Sequence, residues 1–134
     1  PMQWDAGPNA GFTTGSPWLP VNPNHVTINA AEQVQRPDSV FRFYQKLIRL
    51  RKEMDEIVHG HYTLLEPEHP DLFIYTRTLG NESLLVVCNF SEREQAYAVP
   101  EEYLGAEILI ANYPDAAPAC IVRPWETVVC HRKG

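Results

Sequence analysis

PMQWDAGPNAGFTTGSPWLPVNPN, residues 1–24, is the stretch from which the rest of the chain is read. Pro1, Pro8, Pro17, Pro20 and Pro23 alternate with Gly7, Gly11 and Gly15, and Asn9, Asn22, Asn24, Thr13, Thr14 and Ser16 fill the gaps. That is the chemistry of turns, in which proline presets φ and glycine and asparagine accept left-handed backbone. Trp4, Phe12, Trp18 and, a little further on, Ile28 do not suit a free loop. Left wet, each forgoes about 1.5–3 kcal/mol of burial. The stretch therefore predicts irregular chain lying against another surface. Nothing after residue 29 offers an obvious complement, so that surface is expected to lie in sequence beyond this chain. Pro1, with no initiator Met before it, adds the expectation of a piece of a longer protein.

Outward from there the pattern becomes regular. Asn29 can cap a short helical turn over 30–36, and Pro37 stops it. A second helix is predicted over 38–55, opened by Asp38 or Ser39. Val40, Phe41, Tyr44, Leu47, Ile48 and Arg51 recur on one face, Phe43 and Leu50 widen that face, and charged residues occupy the other. From Ile57 the period shortens to that of strands. Stretches 57–65, 72–79, 83–90, 95–99, 106–111, 119–122 and 125–131 are rich in β-branched and aromatic residues, and Gly80-Asn81 is a two-residue hairpin loop between two of them. The expected fold is mainly β: an antiparallel β-sandwich over 57–134, preceded by a loop and helix over 1–56.

Composition narrows the classes of function. A chain of 134 residues with 44% hydrophobic content can bury one core. The formal net charge of −6 and pI near 5.3 disfavour nucleic acid as a partner. No apolar run approaches the roughly 20 residues needed to span a bilayer, and no targeting signal opens the chain, so a soluble, cytoplasmic protein is expected. Cys88, Cys120 and Cys130 sit in strand-like contexts with no zinc spacing, and are expected to be free thiols.

The opening stretch, together with Ile28-Asn29, DSVFRFYQKLIRLRK at 38–52, LLVVCNFS at 84–91, Asn112-Tyr113 and Arg123-Pro124, resembles the oligo-1,6-glucosidase, dextran glucosidase, trehalose-6-phosphate hydrolase and sucrose isomerase group of the α-amylase superfamily. The resemblance spans nearly the whole chain. It implies the end of a (β/α)8 barrel, with 1–37 as the tail of the last βα loop and 38–55 as the eighth helix, followed by a C-terminal antiparallel domain. The implied reaction is retaining hydrolysis of α-glucosidic bonds in short oligosaccharides, which uses two carboxyls about 5–5.5 Å apart. In that family the nucleophile, the acid/base and the third acid all lie upstream of PMQWD, so no catalytic residue, cofactor or metal is expected here. Met2, Gln3, Trp4 and Asp5 would back the rim of the sugar pocket, with Gln3 and Trp4 nearest to it.

The residues themselves offer few rival chemistries. His59 and His61, two apart on the expected strand 57–65, suggest an exposed pair without a third ligand, and His25 and His131 stand singly. Glu66, Glu68 and Asp71 lack the spacing of a calcium loop and predict a solvated turn. Asn81-Glu82-Ser83 and Asn89-Phe90-Ser91 match the glycosylation pattern by coincidence. A second class of function remains: a separate structural or carbohydrate-binding β module. It would stack sugars on Tyr97, Tyr103, Tyr113 or Trp125, or associate with itself through the apolar residues of 1–50.

Overall fold

The computed structural model describes residues 1–117 and 120–134, so Ala119, the first residue of the expected strand 119–122, lies outside the described residues. The chain forms two compact units, Pro1–Arg49 and Leu50–Gly134.

In the first unit, 3-10 turns at Pro8–Gly11 and Pro23–Val26 lead to helix α1 (Ala30–Gln35). Asn29 caps α1 as expected, its Oδ1 accepting the Glu32 N–H at 2.9 Å. Helix α2 spans Val40–Glu53, shorter at both ends than the predicted 38–55. Its cap is Ser39, whose Oγ accepts the Arg42 N–H at 3.2 Å and donates to the Gln33 carbonyl at 2.6 Å. Asp38 is drawn instead to Arg36, 3.2 Å away, whose guanidinium holds the Asp38 carboxyl below its usual range. No residue of α2 is buried: Val40, Tyr44 and Ile48 of its apolar face are 67%, 62% and 54% exposed. An amphipathic helix whose apolar stripe has no cover is what the sequence predicts for a segment made to lie on something else.

The second unit opens with a correction. Residues 57–59, expected to start a strand, belong to helix α3 (Asp55–His59). Asp55 and Glu56 in its first turn complement the helix dipole, and Gly60 ends it by donating its N–H to the Glu56 carbonyl at 3.0 Å. A Cβ on Gly60 would lie 2.4 Å from that same oxygen, so the junction admits only glycine. His59 therefore sits on a helix while His61 begins strand β1 (His61–Leu65), and the two do not share a strand face.

Strands β2 (Leu72–Leu79), β3 (Glu82–Asn89), β4 (Gln95–Ala96), β5 (Glu107–Ala111), β6 (Ile121–Val122) and β7 (Thr127–Arg132) follow. Five of them form an antiparallel sheet in the order β1-β2-β3-β7-β5, so the last strand in sequence is an interior one, and β4 pairs with β6 in a separate ribbon. The β2–β3 hairpin turns on Gly80-Asn81 as expected. Only Gly80 takes positive φ, at 59°, the pattern of a II′ turn. Alternation along the strands puts Leu72, Ile74, Leu85, Val87, Val128 and Cys130 on one face, against Tyr97, Val122 and Tyr103 of the turn Glu101–Tyr103. The layer opposite the sheet is thus a two-stranded ribbon and a turn, thinner than the expected strand at 95–99 implies, of which only Gln95–Ala96 pairs. Ser83, fully buried, takes hydrogen bonds with the Thr78 hydroxyl at 2.9 Å and with the Tyr103 hydroxyl, fixing the turn to the sheet.

All three thiols are free, and they differ in reach. Cys120 is exposed; Cys88 is half-buried, and burial raises its thiol; Cys130 is fully buried, and burial pushes it up to about 11. With the thiolate as nucleophile, an aromatic disulfide reagent at pH 8 is expected to titrate Cys120 at once, Cys88 slowly and Cys130 only in denaturant. Rapid modification of all three in the folded chain contradicts this packing.

Candidate functional site

The opening stretch folds back on itself through its own backbone. The N–H groups of Trp4 and Asp5 both donate to the Ala10 carbonyl, at 2.9 and 3.2 Å. To close that loop, Asn9, Ala10 and Gly11 all take left-handed φ, of 53°, 54° and 65°. The Asn9 amide donates to the carbonyls of Thr13 and Gly15, and the Asp5 carboxylate accepts the Gly7 N–H at 2.8 Å. The Gln3 amide donates to Asn24 Oδ1 at 2.9 Å and to the Ile28 carbonyl at 2.5 Å. The carbonyls of Gln3 and Trp4 then accept the first two N–H groups of α1, those of Ala30 and Ala31, at 2.9 Å each. Residues 2–5 are thus pinned to α1 by donors that a helix start leaves free. The pinning leaves apolar groups facing outward: Met2, Trp4 and Phe12 are about half exposed, and Trp18 is 89% exposed.

This site holds no acid–base pair. The first unit contains three acids, and each is engaged: Asp5 with the Gly7 N–H, and Glu32 and Asp38 with the Arg36 guanidinium. What the loop offers is shape and rigidity, maintained by strain at three consecutive residues. Gly11 is central, because a Cβ there would lie 2.5 Å from Asp5 Oδ2 in a backbone conformation that L side chains rarely adopt. Gly11→Ala is expected to destabilise the first unit by about 1–3 kcal/mol. Adding Asp5→Ala should recover only the steric part. The check is a urea melt of Trp4 and Trp18 fluorescence in both variants.

Among the aromatics that could stack a sugar, Tyr97 and Tyr103 are core residues and so out of reach. The Tyr113 ring is covered by the Arg123 guanidinium at 4.0 Å, and its hydroxyl donates to the Pro124 carbonyl. Trp125, expected at the head of a strand, stands 58% exposed in the turn before β7, with φ of 57°. That turn is braced by residues that carry the family resemblance. Asn112 bridges the Trp125 carbonyl and the Thr127 N–H at 2.8 Å each, and Arg123 grips Glu126 and Asp115 at 2.6 and 2.8 Å. The Arg123 contact draws the Glu126 carboxyl below its usual range. Glu66 and Glu68 are exposed, as a solvated turn requires, while Asp71 accepts from Gln95 and pairs with Arg93. Asn89 is buried with its amide fully bonded, so its sequon is inaccessible.

One grouping has no signal in the sequence. His131, single by its spacing, is buried with Nε2 2.6 Å from Glu82 Oε2 and 3.3 Å from Glu56 Oε1. The β3–β7 register pairs Leu84 with His131, which brings Glu82 alongside, and α3 delivers Glu56 from above the sheet. No short-range spacing announces residues this far apart.

Two family models match neighbouring parts of the chain: "Alpha amylase, catalytic domain" over residues 1–60 and "Alpha-amylase SusG C-terminal domain" over residues 72–129. The chain belongs to the α-amylase superfamily. Within it, the chain is 47% identical over 96% of its length to an oligo-1,6-glucosidase of Parageobacillus thermoglucosidasius, and 40% identical over 96% to a trehalose-6-phosphate hydrolase of Bacillus subtilis. Each match takes in 24% of the relative. The crystal structure of Bacillus licheniformis trehalose-6-phosphate hydrolase matches the whole chain with a TM-score of 0.92 at 39% identity, over 25% of that protein. This α-amylase-superfamily chain therefore spans about a quarter of the length of the relatives it matches, and corresponds to their C-terminal part.

Proposed function

We propose that this chain is the closing segment of a glycoside hydrolase that cleaves α-glucosidic bonds in short oligosaccharides with retention, and that it supports the catalytic barrel without performing the chemistry. The observation that carries this reading is 47% identity across 96% of the chain with an oligo-1,6-glucosidase. The engaged state of every acid in the first unit is consistent with a supporting role. In this reading 1–56 is the tail of the barrel, with α2 as its last helix and the apolar stripe of α2 laid on the barrel wall. Residues 57–134 are the C-terminal β domain. Gln3 and Trp4 stand near the rim of the sugar pocket, held there by the Gln3 bonds to Asn24 and Ile28. The free thiols favour a reducing, cytoplasmic setting, and no described helix is long and apolar enough to cross a membrane.

The test is direct. Purified chain incubated with a nitrophenyl α-glucoside is expected to release no nitrophenol above the blank, and the same residues fused behind a barrel from one of the relatives are expected to restore release. Turnover by the chain alone that survives repurification overturns the supporting role.

A further inference from the structure

We propose that Glu56, Glu82 and His131 form a binding site for a divalent transition metal of the zinc class in the second unit. The three side chains come from α3, β3 and β7, and their ligating atoms lie within 4.8 Å of one another. In a tetrahedral zinc site with bonds near 2.0–2.1 Å, neighbouring ligand atoms stand about 3.3 Å apart. The pair His131 Nε2 and Glu56 Oε1 is already at 3.3 Å. Glu82 Oε2 is closer, at 2.6 Å, but the Glu82 side chain is 44% exposed and free to back away as an ion enters.

Charge and hydrogen bonding both point to a cation. Two carboxylates face one imidazole in a place where the His131 and Glu56 side chains are only 6% and 8% exposed. A protonated imidazole would balance only one of the two carboxylates by direct contact, whereas two carboxylates, a neutral imidazole and a divalent ion sum to zero. The Arg77 guanidinium, which reaches α3 from β2, is spent on the backbone carbonyls of Glu56 and Val58. His131 Nε2 and Glu82 Oε2, both buried, make no hydrogen bond of acceptable geometry despite their proximity. An imidazole nitrogen among oxygens selects zinc, cobalt, nickel or copper over calcium or magnesium. His131 also lines a cleft of about 340 Å³, together with Glu102, Glu107, Arg132 and Lys133. Glu107 is the cross-strand partner of His131 in β5 and carries a further carboxylate to the same opening. Bound there, the ion would tie α3 to the middle of the sheet, stabilising the folded state by mass action.

The experiment is a Co²⁺ titration of the chelator-treated chain, followed by visible absorption, with Zn²⁺ displacement read by calorimetry. One ion per chain is expected, and saturation should raise the Tm. Glu82→Gln and His131→Ala should each weaken Co²⁺ about 100-fold or more, beyond the 10–100-fold typical of groups that only orient a ligand. His59→Ala, His61→Ala and Cys120→Ser should leave it unchanged. Circular dichroism of Glu82→Gln, a substitution at a half-exposed position, separates lost binding from lost folding. No Co²⁺ spectrum in the folded chain, binding that survives Glu82→Gln, or binding that depends on His59, His61 or Cys120 each overturns the proposal.

Discussion

Asn89→Ala is expected to destabilise the second unit by about 3–5 kcal/mol, enough to lower its Tm by at least about 12 °C or to prevent folding. The Asn89 side chain is buried at the end of β3, and every polar atom on it is used. Its amide nitrogen donates to the carbonyls of Arg93 at 2.7 Å, Arg123 at 2.9 Å and Val122 at 3.3 Å. Its oxygen accepts the Ser91 N–H at 2.9 Å and the Ser91 hydroxyl at 2.8 Å. One side chain therefore joins the end of the sheet to the loop before β4 and to the end of β6. Truncation leaves buried carbonyls and an N–H unpaired, each at about 1–3 kcal/mol before relaxation or water entry recovers a part. Asn89→Asp sharpens the test, because it keeps the acceptor for Ser91 and points a carboxylate at three carbonyls. At neutral pH it should be at least as harmful as alanine. Urea melts in which either variant stays within about 1 kcal/mol of the parent rule out this account of the junction.

The second large effect depends on context. Tyr44→Glu with Ile48→Glu changes two exposed positions on α2, so in this chain the pair should shift stability by no more than about 0.5 kcal/mol per substitution. Sedimentation should show less self-association than in the parent, since two charges interrupt the exposed apolar stripe of α2. Carried into a barrel-containing fusion, the same pair is expected to abolish soluble, active enzyme, because it would bury two carboxylates without partners. Full activity in the fusion removes the barrel wall as the destination of this face. A strictly monomeric parent chain removes self-association as its use here.

Local chemistry makes much of this legible. The β2–β3 hairpin follows from two β-branched runs around Gly80-Asn81, and α1 from Asn29 and Pro37. Where expectation and structure part, capping residues and tertiary contacts together override the pattern of propensities. Ile57-Val58 carry β propensity, yet acids in the first turn and Gly60 at its end make a helix there, and Arg77 from β2 caps its carbonyls. Trp125 has the residue type of the strand beside it, whereas the Arg123–Glu126 pair and Asn112 hold it in a left-handed turn. The site residues divide in the same way. The Gln3 and Trp4 segment, proposed above as part of a pocket rim, is legible because a contiguous motif carries it. Glu56, Glu82 and His131 are not, because only strand register and the seat of α3 bring them together.

The place of β7 between β3 and β5 bears on how the protein is made. This strand leaves the ribosome after all the others, yet it fills the gap between them, so until it arrives β5 has no neighbour in the main sheet and β3 has an open edge. Synthesis must then carry the β1–β2–β3 meander as an incomplete, sticky intermediate, and the final commitment to the fold comes only after translation has passed Arg132. Truncation ahead of β7 would therefore leave two fragments of sheet with nothing to bridge them.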